Sequence, residues 1–121
     1  MMDHRIILET GIGTDLYGQD YTKAAIRAVN DAIRHSSLTL FTELNLDHKQ
    51  MTVKVTIGVQ DPDALDTARV AAELPRGNAQ VTAIKGGQNI PSADGTTASV
   101  IATAAIEAYY PIDQSAYKLS K

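Results

Sequence analysis

Apolar residues alternate strictly with polar ones from Met51 to Val59, where Met51, Val53, Val55, Ile57 and Val59 interleave with Thr52, Lys54, Thr56 and Gly58. A period of two predicts a strand with one apolar and one polar face. The pattern changes between Asp20 and Arg34. There Ile26, Val29 and Ile33 recur at helical spacing, widened by Ala25 and Ala32, while Arg27, Asn30, Asp31 and Arg34 fill the other side. This predicts an amphipathic helix. Asp20 is its N-cap, since a carboxylate there can accept free N–H groups of the first turn. His35, Ser36 and Ser37 end it.

The remaining elements follow the same logic. The β-branched run Arg5–Thr10 predicts a first strand, broken by the glycine-rich stretch Gly11–Gln19, which reads as a loop. Leu38–Leu46 fits either an irregular connection or a short edge strand. Asp61-Pro62 opens a second helix, with Leu65, Ala68, Ala72 and Leu74 on its apolar side and Pro75-Arg76-Gly77-Asn78 as its stop. Ala79–Lys85 predicts another strand, with Val81 and Ala83 on one face and Ile84 on the other, broken by Gly86-Gly87. Thr97–Tyr110 is rich in alanine, which favours helix. A helix would put Thr103 and Glu107 beside Val100 and spoil its stripe, so strand is the better reading. Pro111–Lys121 is polar and reads as a surface tail.

Strand, helix, strand, helix, strand, strand predicts an α+β fold. Two helices are too few to cover both faces of a mixed sheet of four to five strands. A two-layer sandwich with both helices on one face is expected, in a single domain over residues 1–110 followed by the tail 111–121. The uncovered polar face is then wet or a subunit contact, and a homo-oligomer is expected.

Composition narrows the chemistry. The chain has 121 residues, no cysteine and no tryptophan. Disulfides, thiolate metal sites and thiol catalysis are excluded. A net charge of -3 with interspersed signs lacks the basic stripe of a nucleic-acid surface. The apolar run Ile6-Ile7-Leu8 is too short for a signal segment or a membrane span. A cytoplasmic protein without membrane partner is therefore expected. His4, His35 and His48 stand at no metal-ligand spacing and read as exposed histidines. No metal or cofactor is indicated.

The glycine loop carries the candidate chemistry. It follows a strand and leads into a helix N-terminus, where backbone N–H groups point outward. Asp15 and Asp20 would repel a phosphate, with Lys23 only partly offsetting them, so a mixed hydrogen-bonding pocket fits better than a phosphate cradle. The spacing Gly11, Gly13, Gly18 is neither the dinucleotide fingerprint nor a P-loop. Lys85, Gly86, Gly87 and the polar run Ser92–Thr97 offer a cation, hydroxyls and the carboxylate of Asp94. Mixed carboxylate and amine groups suit acid–base work if the strands bring them together. The candidate catalytic residues are Asp15, Lys23 and Lys85. The candidate ligand-binding residues are Gly11, Gly13, Tyr17, Gly18, Asp20, Thr22, Gly86 and Gly87.

Gly11-Ile12-Gly13-Thr14-Asp15-Leu16-Tyr17-Gly18 resembles the GxGxDxHG signature of a family of uncharacterised proteins of bacteria and plants, with Tyr17 in place of the histidine. Gln19-Asp20, Thr22-Lys23-Ala24-Ala25 and Arg27-Ala28 are similar to that family's first helix. The resemblance implies that Gly11, Gly13, Asp15 and Gly18 lie at the family's characteristic site. An Asp and a His two residues apart could face one metal, as in cyclodiphosphate synthases, but a tyrosine replaces imidazole poorly as a ligand. At the level of layout, the chain is also similar to the small units of ring-opening amidohydrolases and of translation-inhibitor-like deaminases. Three functions remain open: an oligomeric hydrolase or lyase acting on a small polar molecule at the Gly11–Asp20 loop, a non-catalytic binding module, or a structural assembly subunit.

Overall fold

A computed structural model describes residues 2–16, 18–34, 51–74 and 78–112. They form an α+β domain with one mixed sheet. The elements run β1 (Met2–Asp15), α1 (Tyr21–Arg34), β2 (Thr52–Val59), a 3-10 turn (Pro62–Ala64), α2 (Thr67–Ala71), β3 (Asn78–Lys85), β4 (Gln88–Pro91) and β5 (Ala98–Ile112). The sheet order is β1-β5-β2-β3, with β4 also on β5. Among the described residues β2 and β3 pair in parallel, and the other pairs are antiparallel.

The long strand β5 organises the sheet. One edge pairs with β1 along almost its whole length. The other pairs with β2 from Thr103 to Tyr109 and with β4 from Ala98 to Ile101. Gly86 and Gly87 make the step from β3 to β4. A Cβ on Gly87 would lie 2.1 Å from the Ile101 carbonyl oxygen, and its φ of 61° is one that side chains disfavour.

One sheet face holds the core. Val53, Val55, Ile57 and Val59 of β2 and Val100, Ala102, Ala104, Ile106 and Ala108 of β5 are buried, together with Ala24, Ala25, Ala28, Val29 and Ala32 of α1. The backbone of α1 at Ala24, Ala28 and Ala32 comes close to β1 at its two glycines. A Cβ on Gly11 would lie 2.3 Å from the Ala28 carbonyl oxygen, and one on Gly13 would lie 2.2 Å from that of Ala24. The shorter α2 carries Val70 into the core and packs against β3 and α1.

Several sequence-based boundaries move. Gly11 to Asp15 continue the first strand instead of opening a loop. Glycine there serves close helix–strand packing, which leaves the alternation of the strand intact. The second helix is shorter than expected. Asp61-Pro62 opens only a 3-10 turn, and the helix proper starts after Asp66, whose carboxylate accepts the Arg69 N–H. Gly86-Gly87 leads into the extra strand β4. The alanine-rich segment is a strand, as its alternation implies, and it takes in Pro111 and Ile112 from the expected tail. Leu38–Leu46, Tyr17, His35, His48, the helix stop Pro75–Gly77 and residues 113–121 lie outside the described residues. No helix among the described residues is long and apolar enough to cross a membrane.

Candidate functional site

The turn between β1 and α1 is built around Asp15, which is only 4% exposed. Its Oδ2 accepts the Asp20 N–H at 2.9 Å, and its Oδ1 lies 3.5 Å from Nη1 of Arg27. Gly18 stands against the same carboxylate, where a Cβ would be 2.8 Å from Oδ2. Asp20 caps α1 as its position implied, with Oδ1 accepting the Lys23 N–H at 3.1 Å. Thr22 is buried and its hydroxyl accepts the Asp66 N–H at 2.9 Å, tying α1 to the cap of α2. Each of these groups is engaged in holding elements together.

Of the expected catalytic trio, Asp15 is buried, whereas Lys23 and Lys85 are exposed. Asp15 ends β1 and Lys85 ends β3, on opposite margins of the four-strand path. Three inter-strand steps of about 4.8 Å put their strands roughly 14 Å apart. Gly11 and Gly13 lie beneath α1, and Gly86 and Gly87 lie beyond β2, where Nε2 of Gln60 donates to both of their carbonyls. Near the turn, Nδ2 of Asn89 donates to the Tyr21 hydroxyl at 2.7 Å.

Asp94 belongs to the β4–β5 connection. It accepts from the Ser92 hydroxyl and from the Thr96 N–H and hydroxyl. These bonds, that of Ser92 first, lower its pKa from 3.8 to about 2. His4 is half-buried, not exposed, at a strand position paired with Tyr110 of β5. Among the described residues no group of three or more His, Asp or Glu could hold a metal ion.

Sequence reading expected the other sheet face to be wet or a subunit contact, and did not single out a groove on it. Ile12 pairs with Thr103, Thr103 with Gly58, and Gly58 with Ile84, so one row crosses four strands. Ile12 is 61% exposed and Ile84 is 48% exposed. Between them stand Thr103 and Gly58, and the Thr103 hydroxyl covers Gly58, where a Cβ would lie 2.6 Å from it. This face carries a groove of about 610 Å³, lined by Thr10, Ile12, Thr56, Gly58, Ile84, Thr103 and Ala105 among others. Its carboxylate, Asp31 of α1, accepts the Ile12 N–H at 3.0 Å and lies 3.6 Å from Arg34. The alternation in β2 carried this signal. Gly58 interrupts the polar series Thr52, Lys54, Thr56 on the exposed side.

Farther along the same face sits a charged cluster. Glu107 accepts from the Tyr109 hydroxyl at 2.7 Å and from Arg5 at 3.3 Å, and Nζ of Lys54 stands 5.0 Å from the Tyr109 ring centroid. The Tyr109 hydroxyl bond lowers the Glu107 pKa and raises that of Tyr109.

A mixed sheet backed by a glycine-packed helix defines the chain as an α+β domain. It belongs to the Lin0512 family of conserved hypothetical proteins, whose profile matches residues 5–108. That agrees with the family resemblance read from the sequence. The chain is similar to an FtsZ-like protein of unknown function from Nostoc punctiforme, known from a crystal structure. The two are 31% identical with a TM-score of 0.80, over 93% of this chain and 99% of that one. No curated protein matches significantly.

Proposed function

We propose that this domain is a non-catalytic binding module that takes a small neutral molecule in the groove on its exposed sheet face. In this reading the helices form one layer behind the sheet, and the ligand occupies the other side. The single observation that carries it is the row Ile12–Thr103–Gly58–Ile84, in which two exposed isoleucines flank a threonine and a glycine along the groove. A volume of about 610 Å³ lies within the range of small-molecule sites.

The lining sets the ligand chemistry. Isoleucine walls suit an apolar body. The hydroxyls of Thr10, Thr56 and Thr103 can donate to or accept from neutral oxygen or nitrogen groups. Asp31 is engaged with the Ile12 N–H and with Arg34, so it supplies no strong demand for a cation. The small polar molecule expected at the turn thus becomes a largely apolar one with hydroxyl or carbonyl groups. The engagement of Asp15, Thr22, Gly11 and Gly13 in packing favours binding over a hydrolase or lyase reaction at the Gly11–Asp20 turn.

Thermal shift with indole and naphthol as probes tests the proposal, because a ligand that binds only the folded state raises the midpoint. The expected result is a rise that Ala105→Phe abolishes by filling the groove. Equal shifts in the wild type and in Ala105→Phe would place binding elsewhere. No shift with either probe would remove the proposed ligand class.

A further inference from the structure

Among the described residues the sheet has three outer margins, and they differ. β1 has a register irregularity between Arg5 and Ile7, and two of its outer backbone groups are taken by α1 side chains: Asp31 accepts the Ile12 N–H, and Arg27 donates to the Thr14 carbonyl. β4 is four residues long and ends in Pro91. Shortness, proline, bulges and covering side chains are the usual means of keeping an edge from pairing with another chain. β3 has none of them. It runs eight residues in unbroken register with β2, and among the described residues no side chain bonds to its outer backbone groups.

We propose that β3 is an assembly edge, and that its partner is β3 of a second copy, paired antiparallel about a two-fold axis at Val81. The composition of the strand selects this partner. Ala79 to Ile84 carries no charge, so the two copies meet without like-charge repulsion, and this stretch has no charge to recruit an acidic or basic peptide. With the axis at Val81, Val81 faces its own copy and Ala79 faces Ala83, all on the core side. Val81 and Ala83 are left half-buried in the single chain, and the pairing covers them further. Gln80 faces Thr82 on the exposed side, and Lys85 stays outside the paired stretch. The assembled sheet doubles in width, and its two open grooves lie on one continuous face. This assembly does not depend on the groove binding anything.

Sedimentation across a dilution series tests the inference with two charge variants at the exposed positions 80 and 82. The wild-type chain is expected at twice the chain mass. Gln80→Lys combined with Thr82→Lys sets like charges directly opposite and is expected to sediment at the mass of one chain. Gln80→Lys combined with Thr82→Glu sets opposite charges there and is expected to restore the doubled mass. Circular dichroism checks that both variants fold, and if either does not, a nitroxide label on Gln80→Cys reads the contact in an otherwise intact strand. A single-chain mass for the wild type would overturn the proposal. So would a doubled mass unchanged in the double-lysine variant, or labels showing no short inter-copy distance.

Discussion

The carboxylate of Asp15 lies 3.5 Å from the Arg27 guanidinium and at the same time accepts the Asp20 N–H at 2.9 Å. One buried acid thus fixes the end of β1, the turn and the second turn of α1. Its removal leaves the Asp20 N–H without its acceptor and takes the ion pair from Arg27, which keeps its bond to the Thr14 carbonyl. Asp15→Ala is expected to cost about 1–3 kcal/mol of stability, with Asp15→Asn costing less because the amide oxygen can still accept the N–H. Urea denaturation measures this, and an unchanged midpoint in Asp15→Ala would show the acid to be dispensable for folding.

Gly11 and Gly13 make a sharper case, since their nearest clashing neighbours are backbone atoms of α1. Either Gly11→Ala or Gly13→Ala must push the helix off the sheet, and overpacking of this kind costs about 1–3 kcal/mol. Gly95→Ala is the control. A Cβ there meets nothing within 4 Å, and only its φ of 74° opposes the change. The first two variants should lower the melting temperature clearly more than the third. Equal losses would mean that α1 does not seat on β1 as closely as described.

Thr22 ties the two helices through a single bond to the Asp66 N–H. Thr22→Val keeps the shape and deletes the acceptor, at an expected cost of about 1 kcal/mol or somewhat more. Amide exchange should quicken at Asp66 and along α2 before it does in β2 or β5. Uniform protection in the variant would contradict the bond's role.

Much of this fold was legible because period and burial coincide. The alternation in Met51–Val59 and in Thr97–Tyr110 appears as β2 and β5, with the odd positions of one and the even positions of the other on the core side. Asp20 was readable as a cap because its chemistry is local. Gly11 and Gly13 were not readable as packing residues. Glycine in a strand looks the same in sequence whether it ends the strand or admits a helix, and the carbonyls of Ala24 and Ala28 that decide the matter come from another element. The separation of Asp15 from Lys85 depends on strand order, which no local pattern carries. The groove depends on register, since Ile12, Thr103, Gly58 and Ile84 are scattered along the chain and meet only through three strand pairings.

The Ser92–Asp94–Thr96 cluster has a pH signature. With its pKa lowered to about 2, Asp94 stabilises the fold fully above its ordinary value of 3.8, and that contribution is lost as pH falls through about 2. Carbon-detected carboxyl titration should find this low value. Ser92→Ala should move it up toward the ordinary one, because the Ser92 hydroxyl is the largest cause. An ordinary pKa in the wild type would mean that the cluster does not form in solution.

The most direct measurement is an NMR titration of methyl-labelled isoleucine with naphthol. If the groove is the binding site, the δ1 methyl groups of Ile12 and Ile84 shift together and saturate at one concentration, while Ile26, on α1, stays fixed. Saturable shifts at Ile26 with Ile12 and Ile84 unmoved would contradict the assignment of binding to the exposed sheet face.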